Sequence, residues 1–378
     1  MVDLEETLWD MNRHTQAKHD ILDRYLKAWF PILFSRERKL VYIDGFAGPG
    51  KYKGGEIGSP LIAIKVATEH KLKDRFGKII FTFIEKRPDR FEHLEKTISA
   101  LGALPSTINL EKYNLDFNDF LATLLDTLER KGASLAPTFV FVDPFGYSDL
   151  RLDLLARVLK CDKCELLITY MVGFLDRFLF DEKHHDSICK VLGIREESLD
   201  KIITLSTKEE REETWLRLLK EKLIELSKTD LYQLSFVMRG EHNTTLYYLV
   251  FFTKSVVGMK AMKEAMWNVG RTGEYTFSDF NFEQSSLIDY SKGLWIKQAA
   301  DLVYNEYKGK TITLTQLETW VILYTRFIFR KEILVTLEKK TKSNTKESGK
   351  KVLLTLIKGE ESFSNNITSI PQHHCRMP

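Results

Sequence analysis

Val41-Tyr-Ile-Asp-Gly-Phe-Ala-Gly-Pro-Gly50 carries an apolar run into an acidic residue and then into three glycines. A chain with that order ends a buried strand at Asp44. Gly45, Gly48 and Gly50 then bring backbone close to a ligand with no Cβ in the way. The Asp44 carboxylate, beside Phe46 in the same loop, is suited to a ligand's ammonium group, directly or through water. A generic strand-to-helix loop has similar glycines, so the surroundings decide between the two.

Upstream, 18–33 places Ile21, Leu22, Tyr25, Leu26, Trp29 and Phe30 at helical spacing, with Pro31 expected to help stop the helix. Downstream, Ser59-Pro60 reads as a helix start before 61–70. Strand then alternates with helix: strands at 78–85, 108–113, 138–142 and 166–172, helices at 88–101, 118–130 and 149–160. Such alternation implies a parallel sheet with helices on both faces. The rhythm breaks at 174–227, which reads as a helical insertion. Two β-rich runs, 231–239 and 245–253, follow as an antiparallel hairpin across 240–244.

Five parallel strands closed by an antiparallel hairpin is the inventory of a class I methyltransferase-type Rossmann fold. Ordinary nucleotide-binding Rossmann domains end in a parallel sixth strand instead. The expected organisation is therefore a Rossmann domain over 1–255, a helix and connector over 256–292, a small C-terminal domain over 293–368 and a tail over 369–378. In the C-terminal domain, helices at 296–307, from Thr315-Gln-Leu-Glu318 (a capping-box start) and at 327–340 precede a hairpin of 351–357 with 362–367. That order suggests a winged-helix-like module.

Composition sets outer bounds. With 378 residues, 43 % of them hydrophobic, the chain can bury a sizeable core. The formal charge is only +3, but from Leu294 onward 14 Lys and Arg face 8 Asp and Glu, against 42 and 45 before it. A basic end on an acidic body puts any nucleic-acid contact at the C-terminus. The 7 Lys against 3 Glu between Lys331 and Lys351 make Lys339, Lys340, Lys350 and Lys351 the candidate phosphate contacts, although lysines also suit a solvated helix end. An acidic N-terminus and the lack of an 18-residue apolar run point to a cytoplasmic protein without a membrane span. Cys161-x-x-Cys164 with His185-x-x-x-Cys189 has the composition of a zinc set, but sparse cysteines at a helix-to-strand turn read better as small buried hydrophobes, and no metal is expected.

Further acidic residues stand at strand ends. Glu85 is placed to accept both hydroxyls of a ribose, and Asp116 to accept an adenine amino group, although Asp116 with Asn118 equally suits capping the next helix. Asp143-Pro144-Phe145-Gly146 ends the fourth strand, where a carboxylate, a rigid proline and an aromatic can orient and stack an acceptor. Tyr147 and Tyr170 are candidate walls. No Gly-Lys-Ser or Gly-Lys-Thr follows the first loop, which counts against phosphoryl transfer.

Lys18-His-Asp-Ile-Leu-Asp-Arg-Tyr25, Tyr42-Ile-Asp-Gly-Phe-Ala-Gly-Pro-Gly50, Gly58-Ser-Pro60, Phe141-Val-Asp-Pro-Phe-Gly146 and Met262-Lys-Glu-Ala-Met-Trp267 occur in order over about 14–280. Together they resemble the three-Cys-motif partner proteins. The resemblance implies a class I methyltransferase-like fold with a winged-helix-like C-terminal domain. It also implies S-adenosylmethionine near Asp44, Gly48, Gly50, Glu85 and Asp116, and a partner protein bearing the three-cysteine motif. The expectation is an S-adenosylmethionine-dependent methyltransferase acting on nucleic acid or on a partner-bound substrate. A non-catalytic cofactor-binding module for that partner is the alternative. Phe145 and Gly146 depart from the Asn- or Asp-Pro-Pro-Tyr signature of amino-group methyltransferases, which counts against an exocyclic amine as acceptor.

Overall fold

The computed structural model describes residues 6–144, 146, 150–240, 244–270, 275–278, 288–348 and 355–357. They form two compact units. In the first, helix α1 (Arg13–Phe34) starts at Asn12, whose side chain accepts the Thr15 N–H at 2.8 Å. Its apolar stripe is buried at the spacing read from sequence, but Lys18 and His19 are buried with it. Pro31 does not stop the helix. The Lys27 carbonyl that its missing N–H leaves open is met by His70 Nε2 at 3.1 Å, and the chain stays helical to Phe34.

Strands β1 (Lys39–Asp44), β2 (Lys78–Ile84), β3 (Ile108–Tyr113), β4 (Thr138–Val142) and β5 (Glu165–Tyr170) alternate with α2 (Ser59–Glu69), α3 (Pro88–Ser99), α4 (Phe117–Arg130) and α5 (Leu152–Lys160). Four helices follow: α6 (Val172–Phe178), α7 (His185–Leu192), α8 (Glu196–Ile203) and α9 (Lys208–Ser227). Then come β6 (Tyr232–Arg239), β7 (Thr245–Thr253), α10 (Val256–Gly270) and β8 (Thr276–Ser278). The result is a mixed α/β unit with a mostly parallel sheet of order β3-β2-β1-β4-β5-β7-β6-β8. Strands β1 to β5 are parallel, and β7 runs antiparallel to both β5 and β6. Strand β8, parallel to β6, lies in what sequence left as connector. The first unit takes in α10 and β8 as well, since Met259, Met262 and Met266 are buried in a helix that packs on α1 and β6.

Alternation along the strands gives the sheet two chemically different faces. Tyr42, Phe81, Phe139 and Phe251 meet Tyr25 and Phe30 of α1 in one aromatic layer. Ile43, Val140, Leu166 and Ile168 instead join an aliphatic core with α4, α5 and α9. Strand order reverses between β1 and β4, which makes the carboxyl ends of those two strands the natural ligand crevice. At the opposite end of the sheet, buried Glu165 accepts the Tyr25 hydroxyl at 2.5 Å and the Thr253 hydroxyl at 2.6 Å. A Cβ on Gly258 would lie 2.2 Å from Glu165 Oε1, so only glycine lets α10 come this close.

The second unit contains α11 (Ile288–Tyr307), β9 (Thr311–Thr313), α12 (Leu314–Tyr324), α13 (Lys331–Ser348) and β10 (Thr355–Ile357). Its capping box is Thr313 with Gln316, two residues before the expected one. Strand β10 pairs in parallel with β9; the expected hairpin partner 362–367 lies outside the described residues, as does the tail 369–378. Among the described residues no helix is long and apolar enough to cross a membrane.

Tyr25→Phe removes a hydrogen bond from a buried carboxyl group, and such bonds contribute about 1–3 kcal/mol. The expected outcome in urea is a lower unfolding midpoint at unchanged slope; an unchanged midpoint would mean that Glu165 does not anchor α1.

Candidate functional site

The loop after β1 is stitched to both neighbouring strands. Gly45 N–H donates to Phe141 O and Ala47 N–H to Ile84 O, each at 2.9 Å. Gly48 and Gly50 follow with φ of 61° and 80°, a region that strains residues bearing a Cβ. At Gly50 a Cβ would also stand 2.9 Å from Leu94. Gly45 packs against Phe117. The chain returns through a turn bridged at Lys51 and Ile57, and Gly58 N–H donates to Gly50 O at 2.8 Å.

Above this loop lies a small cleft of about 90 Å³. Phe46, Gly48 and Gly50 of the loop line it together with Lys18, His19, Asp143, Ser59, Tyr52 and Trp9. Trp9 is fixed from behind by the Arg90 guanidinium, 4.5 Å from its ring centroid. The Asp143 carboxylate, 24 % exposed, accepts from the Lys18 ammonium, 8 % exposed, and from the Thr169 hydroxyl at 2.5 Å. Beside them His19 is buried, and its Nδ1 has no hydrogen-bond partner. Burial pushes its pKa down to about 3, with the Lys18 charge adding and Asp143 opposing, so the imidazole is neutral.

Not every expected residue faces the cleft. Asp44 is fully buried behind the lining, under Ser59 and Phe46. Burial raises its pKa to about 7; the Asp143 charge adds, and hydrogen bonds from Ser59, the Phe46 N–H and Tyr42 oppose. The Ser59 hydroxyl, which hydrogen-bonds Asp44, belongs to a residue that lines the cleft. Glu85 sits behind Gly48, accepting the Gly48 N–H at 2.9 Å and the Arg87 N–H at 2.8 Å. Burial holds its pKa above the usual value despite these two donors. Each oxygen still has acceptor capacity.

Asp116 caps α4 by accepting the Asn118 N–H at 2.9 Å and pairs with Lys86 at 3.1 Å, away from the cleft. This is the capping use the sequence allowed. Pro144 is buried, and Phe145 and Tyr147 lie outside the described residues. Tyr170 is buried with its hydroxyl unpartnered and does not line the cleft.

Elsewhere, Cys161 and Cys164 donate to the carbonyls of Arg157 and Ala136, and among the described residues no group of three or more His, Cys, Asp or Glu is placed to hold a metal ion. Lys339 is exposed on α13, whereas Lys340 pairs with Asp301 at 2.5 Å over the Tyr304 ring. Lys350 and Lys351 lie outside the described residues.

Sequence reading assigned no role to Lys18, His19, Ser59, Thr169 or Trp9. A signal existed for the first two: Lys18 precedes Ile21, Leu22 and Tyr25 by three, four and seven residues, so a charge shares the apolar stripe of the helix.

No family model matches the chain, and no curated protein does. Solved structures similar to it include a Legionella pneumophila protein assigned to the DUF519 family, at 14 % identity over 64 % of this chain and 84 % of that one, with a TM-score of 0.37. Trm1 from Pyrococcus horikoshii, in complex with S-adenosyl-L-methionine, is 16 % identical over 66 % of this chain and 57 % of its own, at 0.39. The methyltransferase domain of bacterial CtHen1 is 13 % identical over 62 % and 99 %, at 0.30. At these values the likeness assigns no residue.

The raised pKa of Asp44 makes stability depend on pH. Below about pH 4 the group is protonated in folded and unfolded chains alike. Between that and about pH 7 the unfolded chain releases the proton and the folded one keeps it, so stability falls as pH rises. Asp44→Asn removes this loss. Urea unfolding at pH 4.5, 6 and 8 is expected to show the variant gaining on the native protein by up to about 4 kcal/mol; a constant difference across that range would contradict it.

Proposed function

We propose that the chain is an S-adenosylmethionine-dependent methyltransferase built on a class I methyltransferase-type Rossmann domain. The observation that carries this reading is the meeting of three features at one switch point. A loop with glycine at 48 and 50, the buried Asp44 behind it and Asp143 on the same cleft come together in a sheet closed by the antiparallel β7. The donor set suits this cofactor. The amino-acid end carries both an ammonium and a carboxylate, and the site offers the Asp44 carboxylate behind Ser59 for the first and the buried Lys18 ammonium for the second. The unpartnered His19 Nδ1 is a further polar atom available there. Glu85, behind Gly48, is suited to ribose hydroxyls. A phosphate ligand would instead meet two carboxylates.

When bound, the cofactor supplies a methyl group on a sulfonium. The chain's own residues do the rest. Asp143, held on one side by Thr169, accepts a hydrogen bond from the acceptor and so fixes its approach. Buried Pro144 stiffens the turn that presents it. Trp9 and Phe46, both on the cleft, restrict water there. The acceptor is a nucleic acid or a substrate presented by a bound three-cysteine-motif protein. The second unit, with its helix, strand, two helices and strand, serves as a winged-helix-like docking module. One observation favours a non-catalytic, cofactor-holding role instead: the Asp143 carboxylate is already paired with Lys18.

Calorimetry is expected to show binding of S-adenosylmethionine and S-adenosylhomocysteine and none of ATP or NAD. Glu85→Ala should weaken that binding by about 1–3 kcal/mol, the contribution of hydrogen bonds to a charged carboxylate. Asp143→Ala should not weaken it, yet should transfer no label from S-adenosyl[methyl-3H]methionine. A folded native protein that binds neither cofactor form overturns the reading. Binding without transfer to any acceptor, partner protein included, favours the non-catalytic role.

A further inference from the structure

A buried lysine on the apolar face of a helix is costly unless a partner compensates it. Lys18 lies among Ile21, Leu22 and Tyr25 on α1, and among the described residues its ion-pair partner is Asp143. The same Asp143 stands where an acceptor has to be oriented. The pair therefore closes the site in the structure described, and a protein that uses Asp143 needs a way to release it.

We infer that Lys18 exchanges partners, passing from Asp143 to the carboxylate at the amino-acid end of the cofactor, so that cofactor binding frees Asp143 for the acceptor. This rests on the proposed function. Three observations make the exchange inexpensive. Lys18, Ser59 and Gly48–Gly50 line one cleft, so a four-carbon stem can turn between Asp143 and the loop without leaving α1. Asp143 is not stranded by the move, because Thr169 still donates to it and a quarter of its side chain meets solvent. The neighbouring imidazole is neutral, so it neither competes with Lys18 for the incoming carboxylate nor repels Lys18 from it. The other ammonium on the cleft, Lys51, is exposed at its rim, where screening by water makes it a weak receptor. Each position of Lys18 keeps one carboxylate against one ammonium. The exchange therefore changes which carboxylate is covered while leaving the number of buried charges near balance. Binding becomes ordered, with cofactor before acceptor.

Comparing two ligands separates this exchange from a structural role. Calorimetry with S-adenosylhomocysteine, and with its decarboxylated analogue, which keeps the ammonium, is run on native protein and on Lys18→Met, Lys51→Met, Asp143→Asn and Lys18→Met/Asp143→Asn. The double variant removes both charges together, so its folding does not depend on an unpaired Asp143. Without Lys18, S-adenosylhomocysteine should bind about 10- to 100-fold more weakly and the analogue within about threefold, as expected for a lost charge-assisted hydrogen bond. Lys51→Met should leave both unchanged. Asp143→Asn should tighten S-adenosylhomocysteine severalfold where Lys18 is present and not where it is Met, because the competing partner is gone. Equal losses for both ligands, or no dependence of the Asp143→Asn effect on Lys18, would overturn the exchange while leaving the proposed function standing. Native protein that binds neither ligand would overturn the proposed function and the exchange with it.

Discussion

A charge cannot be left alone in a protein interior, and helix α1 places one there. Lys18 sits on a face that otherwise buries Ile21, Leu22, Tyr25 and Trp29, so the helix can pack only where an anion meets it. Asp143 at the end of β4 is that anion. Two helical turns further on, about 10 Å along the axis at 1.5 Å per residue, Tyr25 meets the second buried carboxylate, Glu165 at the start of β5. These polar contacts hold α1 at both ends of the sheet, while the aromatic layer between them supplies the bulk of the burial. Hydrophobic contact alone would let the helix slide; two directional contacts fix its register.

That register makes the cleft. With α1 held, Lys18 and His19 line the cleft with the glycine loop, Ser59 of α2 adds a hydroxyl to the lining, and Thr169 of β5 braces Asp143. The cleft is built of opposed charges: Asp44 behind the lining, Asp143 on it, and the Lys18 ammonium paired with Asp143. The same low-dielectric surroundings that raise the Asp44 pKa and keep His19 neutral strengthen any interaction made there. A zwitterionic ligand meets partners for both of its charges, which a simple anion or cation would not.

Local signals were legible in the sequence. The strand-to-helix alternation, the glycine loop and the acidic strand ends depend on residues a few positions apart, and each stands where periodicity put it. What depends on distant pairing was not. Thr313 with Gln316 and Thr315 with Glu318 both fit a capping box, and the choice is made by β9 pairing with β10, more than forty residues on. Strand β8 has three residues, too few for a period to register. Asp116 was open to two uses, of which the fold displays the cap. Lys18 was visible as a charge on an apolar stripe, but only the fold shows the carboxylate that makes it tolerable.

The most direct test of the account is a crystal structure with S-adenosylhomocysteine. The predicted result places the amino-acid end in the cleft, its carboxylate against Lys18, its ammonium toward Ser59 and Asp44, and its ribose beside Glu85, with Asp143 released. Ligand bound elsewhere, or bound in the cleft with Lys18 still on Asp143, would contradict it.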